Sequence, residues 1–196
     1  MLTVHLRDIS NEVVDAWRVA FGDLAGVHIS HGSILEQSAD AIVSPANSFG
    51  FMDGGIDLHY VRHFGWELQT TLRDVIAEHH YGELAVGQAI IVATGHPVPR
   101  FLVCAPTMRV PSRIDDTANV YLAFRAALIA VLGHNRTAPT PISSLLVPGM
   151  GTGIGAVRPE QAARQMRAAY DAIINGHGVR SRSARAILGE HHDLLA

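Results

Sequence analysis

An amide, a glycine pair and an acid follow one another at the end of an apolar run. Ala41-Ile-Val43 gives way to Ser44-Pro-Ala-Asn47, and then to Gly54-Gly-Ile-Asp57. The order implies a buried strand, a polar turn, bare backbone N–H groups and a carboxylate at a helix start. In open α/β sheets ligands bind at the carboxyl edge of the strands, so these groups would share one cleft. Asn47 offers both a donor and an acceptor to a ligand, or else it shapes the turn after the strand. Asp57 is a carboxylate that can exchange a proton with a ligand bound there. It can also cap the helix behind it, where an acid gains up to about 1 kcal/mol from the helix dipole.

A second segment, Val147-Pro-Gly-Met-Gly-Thr-Gly-Ile-Gly-Ala156, alternates glycines directly after an apolar run and ahead of a helix that starts near Pro159. Successive glycine N–H groups form an anion-binding concavity, and a helix N-terminus adds partial positive charge. A phosphate or diphosphate suits that concavity, although a glycine-rich turn also serves simply as a turn. It is neither a P-loop, since Gly-Lys-Ser/Thr is missing, nor the dinucleotide fingerprint of a first strand–helix unit.

Composition removes other chemistries. All 15 basic residues are arginine, so a Schiff-base lysine, a lysyl intermediate and a Walker lysine are excluded. The net charge of −3 argues against a general nucleic-acid binder. Cys104, the sole cysteine, lies in the apolar run Phe101–Ala105 and reads as a buried thiol rather than a nucleophile. One cysteine permits no intrachain disulfide and fits a reducing cytoplasm. No apolar run reaches the roughly 20 residues that span a bilayer, and the first residues carry no signal-peptide pattern. His59 and His63 stand at helical metal-binding spacing without a third ligand, so no metal and no cofactor is expected.

The elements that must position these groups follow from apolar periodicity. Strands are expected at Leu2–Arg7, Val27–His31, Asp40–Ala46, Ala89–Thr94, Phe101–Ala105 and Leu145–Val147. Helices are expected at Asn11–Phe21, Asp57–Phe64, Trp66–His79, Asp116–Leu132 (closed by Gly133) and Pro159–Ile174. Asp115-Asp116 reads as a cap for the fourth of these. Alternating strands and helices, with apolar strands buried on both faces, indicate a sheet covered on two sides. The 196 residues are expected to form one domain, with 180–196 a terminal helix or a flexible tail in which Arg180, Arg182 and Arg185 either touch phosphate or are solvated.

Taken together, Ser44-Pro-Ala-Asn47, Gly54-Gly-Ile-Asp57 and the Pro148–Gly155 loop resemble the macro domain, an ADP-ribose-binding α/β/α fold. The likeness is to the family's Val-Asn-Ala-Ala-Asn…Gly-Gly-Val-Asp pattern, ungapped from Gly54 through Gly65, and to its Pro-x-x-Ser-Thr-Gly-Val-Tyr-Gly loop. It extends in outline from about Val27 to Ile174. The resemblance implies a three-layer α/β/α sandwich around a central mixed sheet. It assigns the distal ribose to Asn47 and a water near the anomeric carbon to Asp57, the two catalytic candidates. Ser33 and Ile34 would meet adenine, Ala46 would line the site, and N–H groups of Gly54, Gly55, Ile56, Gly151, Thr152, Gly153, Ile154 and Gly155 would hold the diphosphate.

Four departures point to a divergent, bacterial-type or phage-type branch, one of them the Met52-Asp53 insertion before Gly54, unlike the family's commonest Leu-Gly-Gly-Gly form. Gly32-Ser33-Ile34-Leu35 stands where the family often has Gly-Asp-Ile-Thr, so the acid that receives the adenine amino group is replaced by a hydroxyl. Ser44 replaces the first asparagine. Gly155 lies near the usual aromatic position, leaving the distal ribose open or packed by another group such as Phe49 or Phe51. The expected activity is hydrolysis of an ADP-ribosyl linkage to a protein, a nucleic-acid end or an O-acetyl ester. The alternatives are a non-catalytic module for ADP-ribose or an NAD-derived metabolite, and an ADP-ribose 1″-phosphate phosphatase.

Overall fold

The computed structural model describes residues 2–177 and 183–196. Its strands are β1 (Thr3–Asp8), β2 (Val27–His31), β3 (Ala41–Ser44), β4 (Ile90–Ala93), β5 (Phe101–Cys104) and β6 (Ser144–Val147). Its helices are α1 (Asn11–Phe21), α2 (Gly55–Phe64), α3 (Glu67–His80), α4 (Asn119–Thr137), α5 (Pro159–Ile173) and α6 (Ala184–Leu195), with a 3-10 turn at Ile34–Glu36. α1 shows the local logic: Val13, Val14, Trp17 and Phe21 form its buried stripe, and the Ser10 hydroxyl accepts from the Val13 N–H.

The strands form one mixed sheet in the order β2-β1-β6-β3-β5-β4, parallel throughout except for β4, which runs antiparallel to β5. The period of two divides each central strand between two cores. Ala41 and Val43 of β3, Val103 of β5 and Leu145 and Val147 of β6 face α1, α4 and α5. Ile42, Leu102, Cys104 and Leu146 face α2 and α3. The chain is therefore a three-layer α/β/α sandwich. Ser44 continues the Ile42 side and looks toward α2.

Burial on both faces holds for β3, β5 and β6 but not for β1 and β2. There Val4 and Leu6 are buried while His5 and Arg7 are partly exposed, and the His5 and His28 rings stack at 5.2 Å on the uncovered face. α2 and α3 are too few to cover that end of the sheet.

Gly133 does not stop α4, which runs on to Thr137. The glycine is exposed with open space around it, and its intrinsic cost of about 1 kcal/mol is offset by the turn beyond. There the Asn135 side chain bonds both the N–H and the carbonyl of Ile142 at 2.7 Å. Nor do Asp115 and Asp116 cap α4. The helix begins at Asn119 after an Ala118 N-cap, and Asp115 pairs with Arg113 at 2.6 Å. The C-terminal segment contains α6, packed on α5 through Leu194 and through Gln165, whose amide donates to the Leu194 carbonyl. Arg185 is exposed on α6; Arg180 and Arg182 lie outside the described residues.

Candidate functional site

The parallel strands bring their carboxyl ends to one edge. Along it, the 32–36 turn follows β2, Asp8 ends β1, the glycine loop follows β6, and the Ser44–Asp57 segment follows β3. Because β6 lies between β1 and β3, the two glycine-bearing segments are neighbours although a hundred residues of chain, roughly, separate them.

α2 sets the acid. Its buried stripe is Asp57, Tyr60, Val61 and Phe64, so a carboxyl occupies the first position of an otherwise apolar face. Asp57 is 5 % exposed. It makes no capping bond to its own helix. Instead its Oδ1 accepts from the Ser44 hydroxyl at 2.6 Å. Oδ2 has no partner among the described residues, yet it is not one of the sealed unpartnered side-chain atoms, which are Ser48 Oγ and Arg164 Nη2. One oxygen is thus held by Ser44 while the other is unbonded among the described residues. Burial pushes the Asp57 carboxyl up to about 7, with the Ser44 bond pulling the other way. The Tyr60 hydroxyl donates to the Val43 carbonyl at 3.0 Å rather than to the acid. The Cys104 thiol is buried and raised, first by desolvation and then by the Asp57 charge, which makes it inert.

Around this carboxyl the backbone is open. Gly54, the α2 N-cap, and Gly55 are exposed, with nothing within 4 Å of an added Cβ. The N–H groups of Gly54 through Asp57 have no protein acceptor among the described residues. The same is true of Met150 through Gly155 in the neighbouring loop. That loop is fixed from outside: Gly149 N–H donates to Asp8 Oδ2 at 2.9 Å, Val157 N–H to the Gly151 carbonyl at 3.0 Å, and Ile114 N–H to the Gly155 carbonyl at 2.9 Å. The glycines differ in purpose. A Cβ on Gly151 would sit 2.7 Å from Val120, and on Gly155 2.5 Å from the Gly151 carbonyl oxygen, whereas Gly153 faces open space. Unpaired N–H groups beside a helix N-terminus have the dipole arrangement that suits an anion.

At the β2 end, Ser33 precedes the 3-10 turn and its hydroxyl makes no capping bond. The Ile34 side chain is buried in the α2–α3 core, so only its backbone is on offer. Arg7 fixes this turn: its guanidinium donates to the Ser33 carbonyl at 2.8 Å, to Ser30 Oγ at 3.0 Å and to Glu36 at 3.3 Å. Gly32, at φ +137, leaves room for that guanidinium, since a Cβ would meet it at 2.4 Å.

The structure places the remaining candidates less favourably. Ala46 is buried and its carbonyl accepts from Thr107 N–H. The Asn47 amide holds its own turn: Nδ2 donates to the Phe51 carbonyl at 2.8 Å, and Oδ1 accepts from the N–H groups of Phe49 and Phe51 at 3.1 and 3.3 Å. Phe49 and Phe51 lie under Arg109 and Arg73 at 5.0 and 4.4 Å, lining a groove of about 400 Å³ against α3. His59 and His63 are exposed on α2, and among the described residues no three His, Cys, Asp or Glu side chains could hold a metal. No described helix is long and apolar enough to cross a membrane. Sequence reasoning did not find Ser44 as the partner of Asp57, or Asp8 and Arg7 as the ties of the two loops. A polar residue closing an apolar strand, as Ser44 and Asp8 both do, was the available signal.

Comparison with known proteins agrees with this fold. The Macro domain family model matches residues 43–166, more than half of the chain and both glycine-bearing segments. An uncharacterized protein of Aquifex aeolicus is 35 % identical over 140 residues, covering 71 % of this chain and 78 % of that one. The macrodomain of Mycobacterium tuberculosis DarG superposes with a TM-score of 0.59 at 24 % identity, covering 73 % of this chain and 88 % of that chain. An Oceanobacillus iheyensis macrodomain mutant with ADPR superposes with a TM-score of 0.60 at 21 % identity, covering 84 % and 90 %. At such identities the solved structures speak to the fold. With the sheet-edge acid, the two open-backbone segments and the family match in agreement, the chain belongs to the macro domain family, whose members are ADP-ribose binders.

Proposed function

We propose that this protein binds ADP-ribose across the strand edge and hydrolyses an ADP-ribosyl linkage with Asp57 as the base. The reading rests on one observation: Asp57 is buried at the sheet edge and held through Oδ1 by Ser44, with Oδ2 unbonded among the described residues. A carboxyl raised to about 7 is matched to proton transfer near neutral pH. Cleavage at the anomeric carbon develops positive charge on the sugar, and no cation among the described residues contributes to the position of the Asp57 equilibrium. The incoming charge would therefore be its opposite partner, an interaction stronger in the transition state than in the ground state. In this reading the diphosphate lies on the N–H groups of Gly54, Gly55 and Ile56 and of Gly151 through Gly155, with Thr152 and Ile154 in the same loop. Ser33 and the Ile34 backbone meet the base, and Asn47 and Ala46 border the distal ribose. No metal or cofactor is required.

The test is Asp57→Ala. Turnover of an ADP-ribosyl ester should be lost while calorimetry still records ADP-ribose binding within a few-fold of wild type. Equal loss of both would make Asp57 structural. A second reading, binding without turnover, draws on Asn47: its amide is committed to its own turn, which leaves the ribose hydroxyls without an obvious side-chain partner. Binding with no product from protein-, nucleic-acid- and acetyl-linked substrates would establish that reading.

A further inference from the structure

We infer that Ser44 is the positioning residue of this site: its hydroxyl holds Asp57 through Oδ1 and so leaves Oδ2 as the oxygen that acts. The inference rests on the proposed role of Asp57 and adds the residue through which that role is controlled. Ser44 ends β3 on the α2 side of the sheet and is 0 % exposed, and its Oγ lies 2.6 Å from Oδ1. It is the sole hydrogen-bond donor to Asp57 among the described residues. The other titratable groups that feel this carboxyl are Tyr60 on α2 and Cys104 on β5. The tyrosine hydroxyl is spent on the Val43 carbonyl, and a thiol is a weak donor. Asp8, on β1, acts on Tyr60 and so adds negative charge to the surroundings. Among the described residues, no cation offsets Asp57.

A hydrogen bond to a charged acceptor favours the charged form. Ser44 thus does two things through one bond: it fixes which oxygen is free, and it favours the ionised state that can accept a proton from water. Neither requires Ser44 to touch the ligand, so its loss should separate turnover from binding.

The experiment uses the full chain as wild type, Ser44→Ala and Ser44→Thr, with Ser44→Cys as a volume-conserving variant in case S44A does not fold. Asp57 is followed by carboxyl carbon NMR through a pH titration. ADP-ribose affinity is measured by calorimetry and kcat against pH on an ADP-ribosyl ester. In S44A and S44C the Asp57 midpoint should rise by about one pH unit, and the acid limb of kcat should move with it. ADP-ribose affinity should stay within about twofold, and S44T should restore the wild-type profile. An unchanged midpoint in S44A and S44C overturns the inference, as does a parallel loss of affinity and kcat at unchanged midpoint. If wild type turns over no substrate, the hydrolase reading fails, while the carboxyl titration still decides the role of Ser44.

Discussion

Replacing Asp57 by asparagine should stabilise this protein above neutral pH. The side chain is 5 % exposed and its carboxyl is raised from 3.8 to about 7, burial being the larger cause. A raised carboxyl binds a proton on folding. Between about pH 4 and pH 7 the folded chain therefore retains a proton that the unfolded chain has released, and stability falls as pH rises through that window before levelling off. The gap of about three pH units at about 1.4 kcal/mol each sets a ceiling of about 4 kcal/mol. The residual 5 % exposure lowers the expected effect to about 2–4 kcal/mol. Asparagine keeps an oxygen to accept from Ser44 and never ionises. Urea unfolding of both proteins, run in parallel at several values between about pH 4.5 and 8.5, isolates the difference, because every group other than residue 57 is common to both. The stability gap should open across the window and favour the asparagine variant at the alkaline end. A gap that does not change with pH, or a variant less stable than wild type at pH 8, would refute the account of a charge held at a cost for chemistry.

The glycine loop gives a paired prediction. Gly153→Ala meets nothing within 4 Å, so its melting temperature should match wild type while ADP-ribose affinity drops several-fold by calorimetry, because a methyl intrudes on the anion. Gly155→Ala, with its Cβ 2.5 Å from the Gly151 oxygen, should destabilise by about 1–3 kcal/mol in urea unfolding. Asp8→Ala removes the acceptor of Gly149 and Ser10 N–H groups and should lower stability by about 1.5–3 kcal/mol and weaken ADP-ribose binding, checked by the same two methods. Arg7→Ala frees the Ser33 carbonyl. It should speed amide exchange in the 32–36 turn and reduce the preference for ADP-ribose over its inosine analogue.

The sandwich was legible because its strands and helices differ in apolar period, and most boundaries fall within a residue or two of the pattern. Gly133 misled because a glycine on an exposed helical face costs little when the next turn is tied by a side chain, as Asn135 ties Ile142. The one-sided cover of β1 and β2 was present in their alternation, Val4 and Leu6 against His5 and Arg7, but only the strand order shows which layer is missing. The open backbone at Gly54-Gly55 and Gly151–Gly155 was readable from glycine spacing. Which glycines are steric and which face solvent was not, since that depends on Val120 and Ile114, distant in sequence. Asp57 was visible as an acid at a helix start. That it bonds Ser44 instead of its own helix follows from β3 and α2 facing each other, a contact that local sequence does not encode.

The most direct test of the account is the structure of the full chain with ADP-ribose bound. The diphosphate should rest on the N–H groups of Gly54 through Ile56 and of Gly151 through Gly155. A water should bridge Asp57 Oδ2 and the anomeric carbon of the distal ribose, with Ser44 still on Oδ1. A ligand seated elsewhere, or a distal ribose with no water between it and the Asp57 carboxyl, would contradict the assignment of Asp57 as the base.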